Sequence, residues 1–157
     1  MNNVIIECNN LTKSYNASKI FENANVKFYK GITGLVAPNG YGKTTFIEMC
    51  SGLRKNFSGK ILIYEKSPDN AKSHIGFLMD KPAYPRTITV LDYIEYVSMI
   101  YKTRYSDEIL KMLLGNVTHK KIYELSAGYI KRLAFFIAVM HMPDVVFADE
   151  PFSNDVS

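Results

Sequence analysis

The sequence predicts an α/β fold, and three observations carry that reading. The first third of the 157 residues holds short apolar runs between turns, the middle has helical periodicity, and an apolar run returns at the end. The runs "VIIEC", "NVKFYK" and "ITGLVA" have the length and β-branched character of strands. The third of them, residues 32–37, leads through a glycine-containing turn into an amphipathic helix, "KTTFIEMCSGL". "NFSG" is turn chemistry, and "KILIY" and "HIGFLM" read as further strands ahead of the proline-bearing loop "DKPAYPRT".

The middle is helical. Thr89 with Asp92 three positions on forms the pattern of a capping box ahead of "VLDYIEYVSMIY". Ser106 is placed to cap "DEILKMLL", which Gly115 ends. Ser126 is placed to cap the helix of "YELSAGYIKRLAFFIAVMHM", apolar nearly all round and so expected to be buried, with Pro143 ending it. The closing strand, Val145–Ala148, reads as buried on both faces.

Composition narrows the function. An apolar fraction of 47% and a charged fraction of 22% are those of a globular domain long enough to enclose a core. The net charge of +4 is scattered; it suits an anionic ligand and does not point to nucleic acid. Cys8 and Cys50 lack metal-ligand spacing and are expected as reduced thiols. "MNNVIIECNN" has no basic region of a secretion signal, and "LAFFIAVM" falls far short of the about 20 residues that span a bilayer. Any membrane role is therefore expected to come through a partner.

"APNGYGKTT", residues 37–45, lies between an expected strand and an expected helix, the setting a phosphate-binding loop requires. Gly40 and Gly42 can take positive φ, which lets the stretch Ala37, Pro38, Asn39, Gly40, Tyr41 and Gly42 turn its backbone N–H groups, which Pro38 alone lacks, around phosphate oxygens. The helix start at Lys43, Thr44 and Thr45 adds partial positive charge. Lys43 can span the β and γ phosphates, and the Thr44 hydroxyl can ligate Mg²⁺. Ala37 stands at the motif's first glycine; the change is harmless at negative φ and costs about 1 kcal/mol otherwise.

Two acids, Asp149 and Glu150, follow the closing strand. Neighbouring strand residues point to opposite faces, so the two are expected to divide their work. One can hold a metal's water shell while the other orients an attacking water. Ligands of open α/β sheets gather at strand carboxyl ends, where both the loop and these acids stand.

The segment "LSAGYIKRLAFFIAVMHMPDVVFADEP" resembles the signature helix and Walker B strand of the ATP-binding cassette (ABC) family, in the family's order after a Walker A loop. The resemblance covers essentially the whole chain. It implies a P-loop NTPase fold of the ABC ATPase kind, with an N-terminal antiparallel β portion, a short helical subdomain at roughly 86–125, and a C-terminal part cut short. Residues 1–157 would form one incomplete nucleotide-binding domain. "LTKSY" is similar to the segment whose aromatic ring stacks on adenine, which assigns that role to Tyr15. "IGFLMDKPAYPRTITVLDYI" is similar to the Q-loop region and puts Asp80 where Gln or Glu meets Mg²⁺ and the attacking water; Asp is one methylene shorter.

By the family's mechanism two cassettes close head to tail around two ATP molecules. Ser126 and the Gly128 amide would then touch the γ-phosphate held by the other chain's Lys43, with Asp149 on the metal and Glu150 and Asp80 as catalytic residues. Ala127 stands at a second glycine of the signature and Tyr129 at a common Gln. The short helical span looks most like subunits encoded apart from their membrane partner in bacterial ABC-2-type exporters. Tyr93, Tyr96, Met99, Tyr101 and Met112 have the spacing of core residues, and the alternative is a patch that grips a membrane subunit's coupling helix.

The resemblance also implies a D-loop aspartate, a further strand and a switch histidine after Glu150. Val156 falls at the aspartate's place unless Asp155 is shifted by one, and none of His74, His119 and His141 follows Glu150. That further strand would lie between the Walker A and Walker B strands, so its absence leaves two unpaired edges. The expectation is a fragment of an ABC ATPase rather than a reduced cassette completed by another chain. Its implied work is to bind and hydrolyse Mg-ATP, driving export by a permease subunit from the inner face of the cell membrane. A module that binds ATP without efficient turnover is the alternative. A soluble ABC ATPase of translation or DNA repair would carry tandem cassettes or coiled insertions, and neither is present.

Overall fold

The computed structural model describes residues 4–16, 18–79 and 82–150. The chain divides into two compact units, Met1–Lys72 and Ser73–Ser157. In the first, β1 (Val4–Tyr15) is the central strand of an antiparallel sheet, between β2 (Ser18–Tyr29) and β3 (Ser58–Ile63). β1 runs well past the expected "VIIEC" and takes in "LTKSY". Ile6 and Cys8 face the core, the register shifts between Cys8 and Leu11 around Asn10 at φ 50°, and Leu11 and Lys13 take over the buried face. That shift puts the lysine of "LTKSY" inside.

The helix after the loop, α1 (Lys43–Cys50), buries Phe46, Ile47, Met49 and Cys50. Cys8 and Cys50 are free thiols that hydrogen-bond to each other. The Cys50 S–H lowers the pKa of Cys8, while that bond and burial raise Cys50.

One expected strand is not there. Residues 32–37 join neither sheet, and Ile32 and Val36 are 105% and 97% exposed. β-branched composition favours an extended chain, but a strand exists only where a neighbour exchanges hydrogen bonds with it.

In the second unit β4 (Ile75–Leu78) pairs in parallel with β5 (Val145–Ala148), Ile75 opposite Val145 and Leu78 opposite Ala148. The two strands make a two-stranded sheet. β5 is not buried on both faces: Phe147 is buried while Val146 and Ala148 are exposed. Gly76 of β4 lies against the last helix, where a Cβ would come 2.1 Å from the Ala138 carbonyl oxygen.

The helices form as their caps dictate. Thr89 Oγ1 accepts the Asp92 amide at 3.1 Å and Asp92 accepts the Thr89 amide at 3.4 Å, opening α2 (Val90–Tyr101). Ser106 caps α3 (Asp107–Leu114), and Gly115 ends it. α4 (Ala127–Val139) starts at Ser126 and stops four residues before Pro143. Val90, Ile94 and Val97 of α2 meet Leu110 and Leu114 of α3 and Leu133 and Phe136 of α4 in one apolar cluster. α4 is not buried all round, since Phe135 is exposed. Tyr96, Met99, Tyr101 and Met112 are exposed rather than core, and Tyr93 alone of its set packs inward, edge-on to Tyr84. Periodicity locates a face, and what covers that face is decided elsewhere in the chain.

Candidate nucleotide site

The loop of the first unit has the backbone its sequence called for. Gly40 and Gly42 lie at φ 84° and 90°. Ala37 is not at positive φ, so alanine at the motif's first position carries no left-handed strain. Asn39 and Gly40 form a turn in which the Tyr41 amide donates to the Pro38 carbonyl at 3.3 Å. Gly42 is the N-cap of α1, and no side chain caps that end. The first helical bond is Phe46 N–H to the Gly42 carbonyl at 2.8 Å. The amides of Lys43, Thr44 and Thr45 therefore precede any intrahelical acceptor and carry the helix's positive end.

Glycine at 42 answers two demands. Its φ disfavours any side chain, and a Cβ would stand 2.3 Å from Ile20 Cγ2 and 3.3 Å from the Phe21 ring. The Lys43 ammonium donates to the Ala37 carbonyl at 2.7 Å, the Pro38 carbonyl at 3.2 Å and Asn39 Oδ1 at 3.4 Å. Its head thus lies along the loop, where phosphate oxygens could exchange with those acceptors. A largely apolar recess of about 240 Å³ is lined by Phe21, Phe28, Val36 and Phe46 together with Gly42 and Lys43 of the loop. Its walls are mainly apolar, and Lys43 is the charged side chain among them.

Tyr15 ends β1 with its hydroxyl 3.3 Å from Thr45 Oγ1, so the proposed base platform and the loop helix belong to one unit. Lys13 Nζ lies 4.6 Å and Arg54 Cζ 5.5 Å from the Tyr15 ring centroid. Sequence reasoning missed both cations. Lys13 was within reach, because residues two apart on a strand share a face, but only once β1 is known to continue through "LTKSY".

The second unit holds the other candidates. At the start of α4 the Ser126 hydroxyl accepts the Tyr129 amide at 3.4 Å. A Cβ on Gly128 would meet only Ser126 Oγ, at 4.0 Å, so the backbone there is open to a close ligand. At the end of β5 the Asp149 amide donates to the Leu78 carbonyl at 3.0 Å, and the residue is 9% exposed. β5 stops at Ala148, and Glu150 is exposed at φ 46°. Asp149 is thus buried and Glu150 exposed, so the two carboxylates lie in different surroundings. Asp80 and the D-loop positions Asp155 and Val156 lie outside the described residues.

A family profile described as ABC transporter matches residues 21–153. An uncharacterized ABC transporter ATP-binding protein of Methanocaldococcus jannaschii is 30% identical over 158 residues, covering 95% of this chain and 57% of that protein. The bacitracin transport ATP-binding protein BcrA of Bacillus licheniformis is 31% identical over 156 residues, covering 94% of this chain and 51% of its own. A solved structure described as a putative ABC transporter ATP-binding protein from Pyrococcus furiosus superposes with a TM-score of 0.75 at 27% identity, covering 93% of this chain and 75% of that one. The chain spans about half the length of these curated relatives. The profile match takes in α1 to β5 and most of β2, and the chain belongs to the ABC transporter family.

Proposed function

We propose that this chain is the nucleotide-binding part of an ABC transporter ATPase subunit, holding the triphosphate of ATP on residues 37–45. The observation that carries the reading is the uncapped start of α1 behind two positive-φ glycines, with Lys43 folded along the same loop. Gly40 to Thr45 donate main-chain N–H groups to phosphate oxygens, Lys43 supplies the mobile charge, and Tyr15 stacks on the adenine.

Mg²⁺ fits the remaining donors in kind, since the Thr44 hydroxyl and the Asp149 and Asp80 carboxylates are hard oxygens. No group of three or more His, Cys, Asp or Glu able to hold a metal occurs among the described residues. A magnesium bound through one or two protein oxygens and the nucleotide's phosphates needs no such cage. When bound, the ion neutralises phosphate charge. Glu150 is assigned to orient the attacking water, and Ser126 with the Gly128 amide to receive the γ-phosphate of a second cassette.

The partners in this reading are that second cassette and a permease subunit at the inner face of the membrane. No helix among the described residues is long and apolar enough to cross a bilayer. Exposed Tyr96, Met99 and Ile100 on one face of α2 support a surface role for that helix. The segment 32–37, which joins neither sheet, favours a second reading, in which this stretch binds ATP without efficient turnover, because a loop entered from an unpaired segment is less well preorganised. Calorimetry with Mg-ATP, followed by phosphate release, tests both. Binding lost in Lys43→Met supports the site, turnover abolished by Glu150→Gln supports the first reading, and no binding rejects both.

A further inference from the structure

The Tyr15 ring is held at more points than an exposed tyrosine requires. Its hydroxyl meets Thr45 Oγ1 at 3.3 Å. Arg54 lies over the ring, and its Nε and Nη2 donate to Glu48 Oε2 at 2.7 and 2.6 Å. The Arg54 amide also donates to the Glu48 carbonyl at 2.9 Å. Lys13, only 5% exposed, donates from Nζ to the Asn56 carbonyl at 2.6 Å and approaches the same ring.

Thr45 and Glu48 are three residues apart on α1 and share a face of it. One side of α1 therefore holds Tyr15 twice, by its hydroxyl through Thr45 and by its ring through Glu48 and Arg54. A buried ammonium is costly unless it has partners. Lys13 has two, a carbonyl and a π-face.

We propose that Lys13 and Arg54 are positioning residues that fix the Tyr15 ring for stacking on a purine base, tying base recognition to the helix that carries the phosphate loop. This rests on Tyr15 being the base platform. A ring held before binding loses less rotational freedom when the base arrives. Cations against the ring also draw on its π density, which favours the electron-rich face of a purine. Neither effect concerns the phosphates, so the two cations should act on the base alone.

The test measures affinity of the full chain for Mg-ATP and for inorganic triphosphate, and takes their ratio. Tyr15→Ala should remove most of the preference for ATP. Arg54→Met, which keeps the aliphatic stem, should lower ATP affinity by about two- to five-fold, the size of an exposed cation–π contact, and leave triphosphate affinity unchanged. Arg54→Lys should recover part of the loss, and Glu48→Gln, which slackens the arginine, should reproduce part of it. Lys13→Met should act in the same sense; if it does not fold, the Arg54 and Glu48 variants decide.

If Tyr15→Ala leaves the ratio intact, the platform reading fails and this inference with it. If Tyr15→Ala lowers the ratio while Arg54→Met does not, the platform stands and the brace is overturned. Equal losses for ATP and triphosphate in Arg54→Met, or tighter ATP binding because the guanidinium covers the base's face, also overturn it.

Discussion

The Lys43 ammonium donates to the Ala37 carbonyl at 2.7 Å, so the first residue of α1 closes on the first residue of the phosphate loop. The bond is charge-assisted and partly buried, and a bound phosphate would compete for the same head. Lys43→Met should weaken ATP binding by about ten-fold or more, from losing hydrogen bonds to a charged group. The same change should cost folding stability no more than about 3 kcal/mol, the upper end for a hydrogen bond to a charged group. Calorimetry and urea unfolding separate the two.

Gly42 and Gly40 share positive φ but not surroundings. Gly40→Ala meets nothing within 4 Å, so it carries only the backbone penalty, about 1–2 kcal/mol. Gly42→Ala adds a contact of 2.3 Å with Ile20 Cγ2, so it should cost more. In a double-mutant cycle, Ile20→Ala should relieve part of the Gly42→Ala loss and none of the Gly40→Ala loss. Denaturation midpoints measure each.

Ile32 and Val36 contribute exposed apolar surface without a strand's hydrogen bonds. Their replacement by serine should change the stability of this chain by less than about 0.5 kcal/mol, as for other surface sites. Solubility should rise, because an extended apolar segment with open backbone groups is a template for aggregation. Light scattering against concentration reads the difference.

His141 gives a pH dependence. Its Nε2 donates to the Ile75 carbonyl at 3.0 Å, its ring stacks on Tyr101 at 4.1 Å, and its Nδ1 is buried without a hydrogen-bond partner. Burial holds its pKa below the ordinary 6.5, only partly opposed by the Ile75 bond. The unfolded histidine then takes up a proton first as pH falls. Its contribution is whole above about 6.5 and is lost as pH drops toward the lower folded value. Wild type should therefore lose melting temperature more steeply between pH 7.5 and 5.5 than His141→Gln, whose amide can still donate to Ile75.

What was legible in the sequence was local. Thr89, Ser106 and Ser126 cap the helices assigned to them, because a cap is decided within four residues. The glycines of the phosphate loop took positive φ for the same reason. What failed depended on distant neighbours. Among the described residues, 32–37 have a strand's composition and no pairing partner, and β5 leaves Val146 exposed. In the candidate site the loop backbone was readable, because its motif is contiguous. The Lys13, Arg54 and Glu48 contacts around Tyr15 join three separate elements, and no spacing in the chain announces them.

The central claim is that the main-chain amides from Gly40 to Thr45 hold a triphosphate. Amide resonances of the isotope-labelled chain, followed while Mg-ATP is added, test it most directly. The account predicts that the largest saturable shifts fall on Gly40, Gly42, Lys43, Thr44 and Thr45, and vanish in Lys43→Met. Saturable shifts elsewhere, with those amides unmoved, would contradict it.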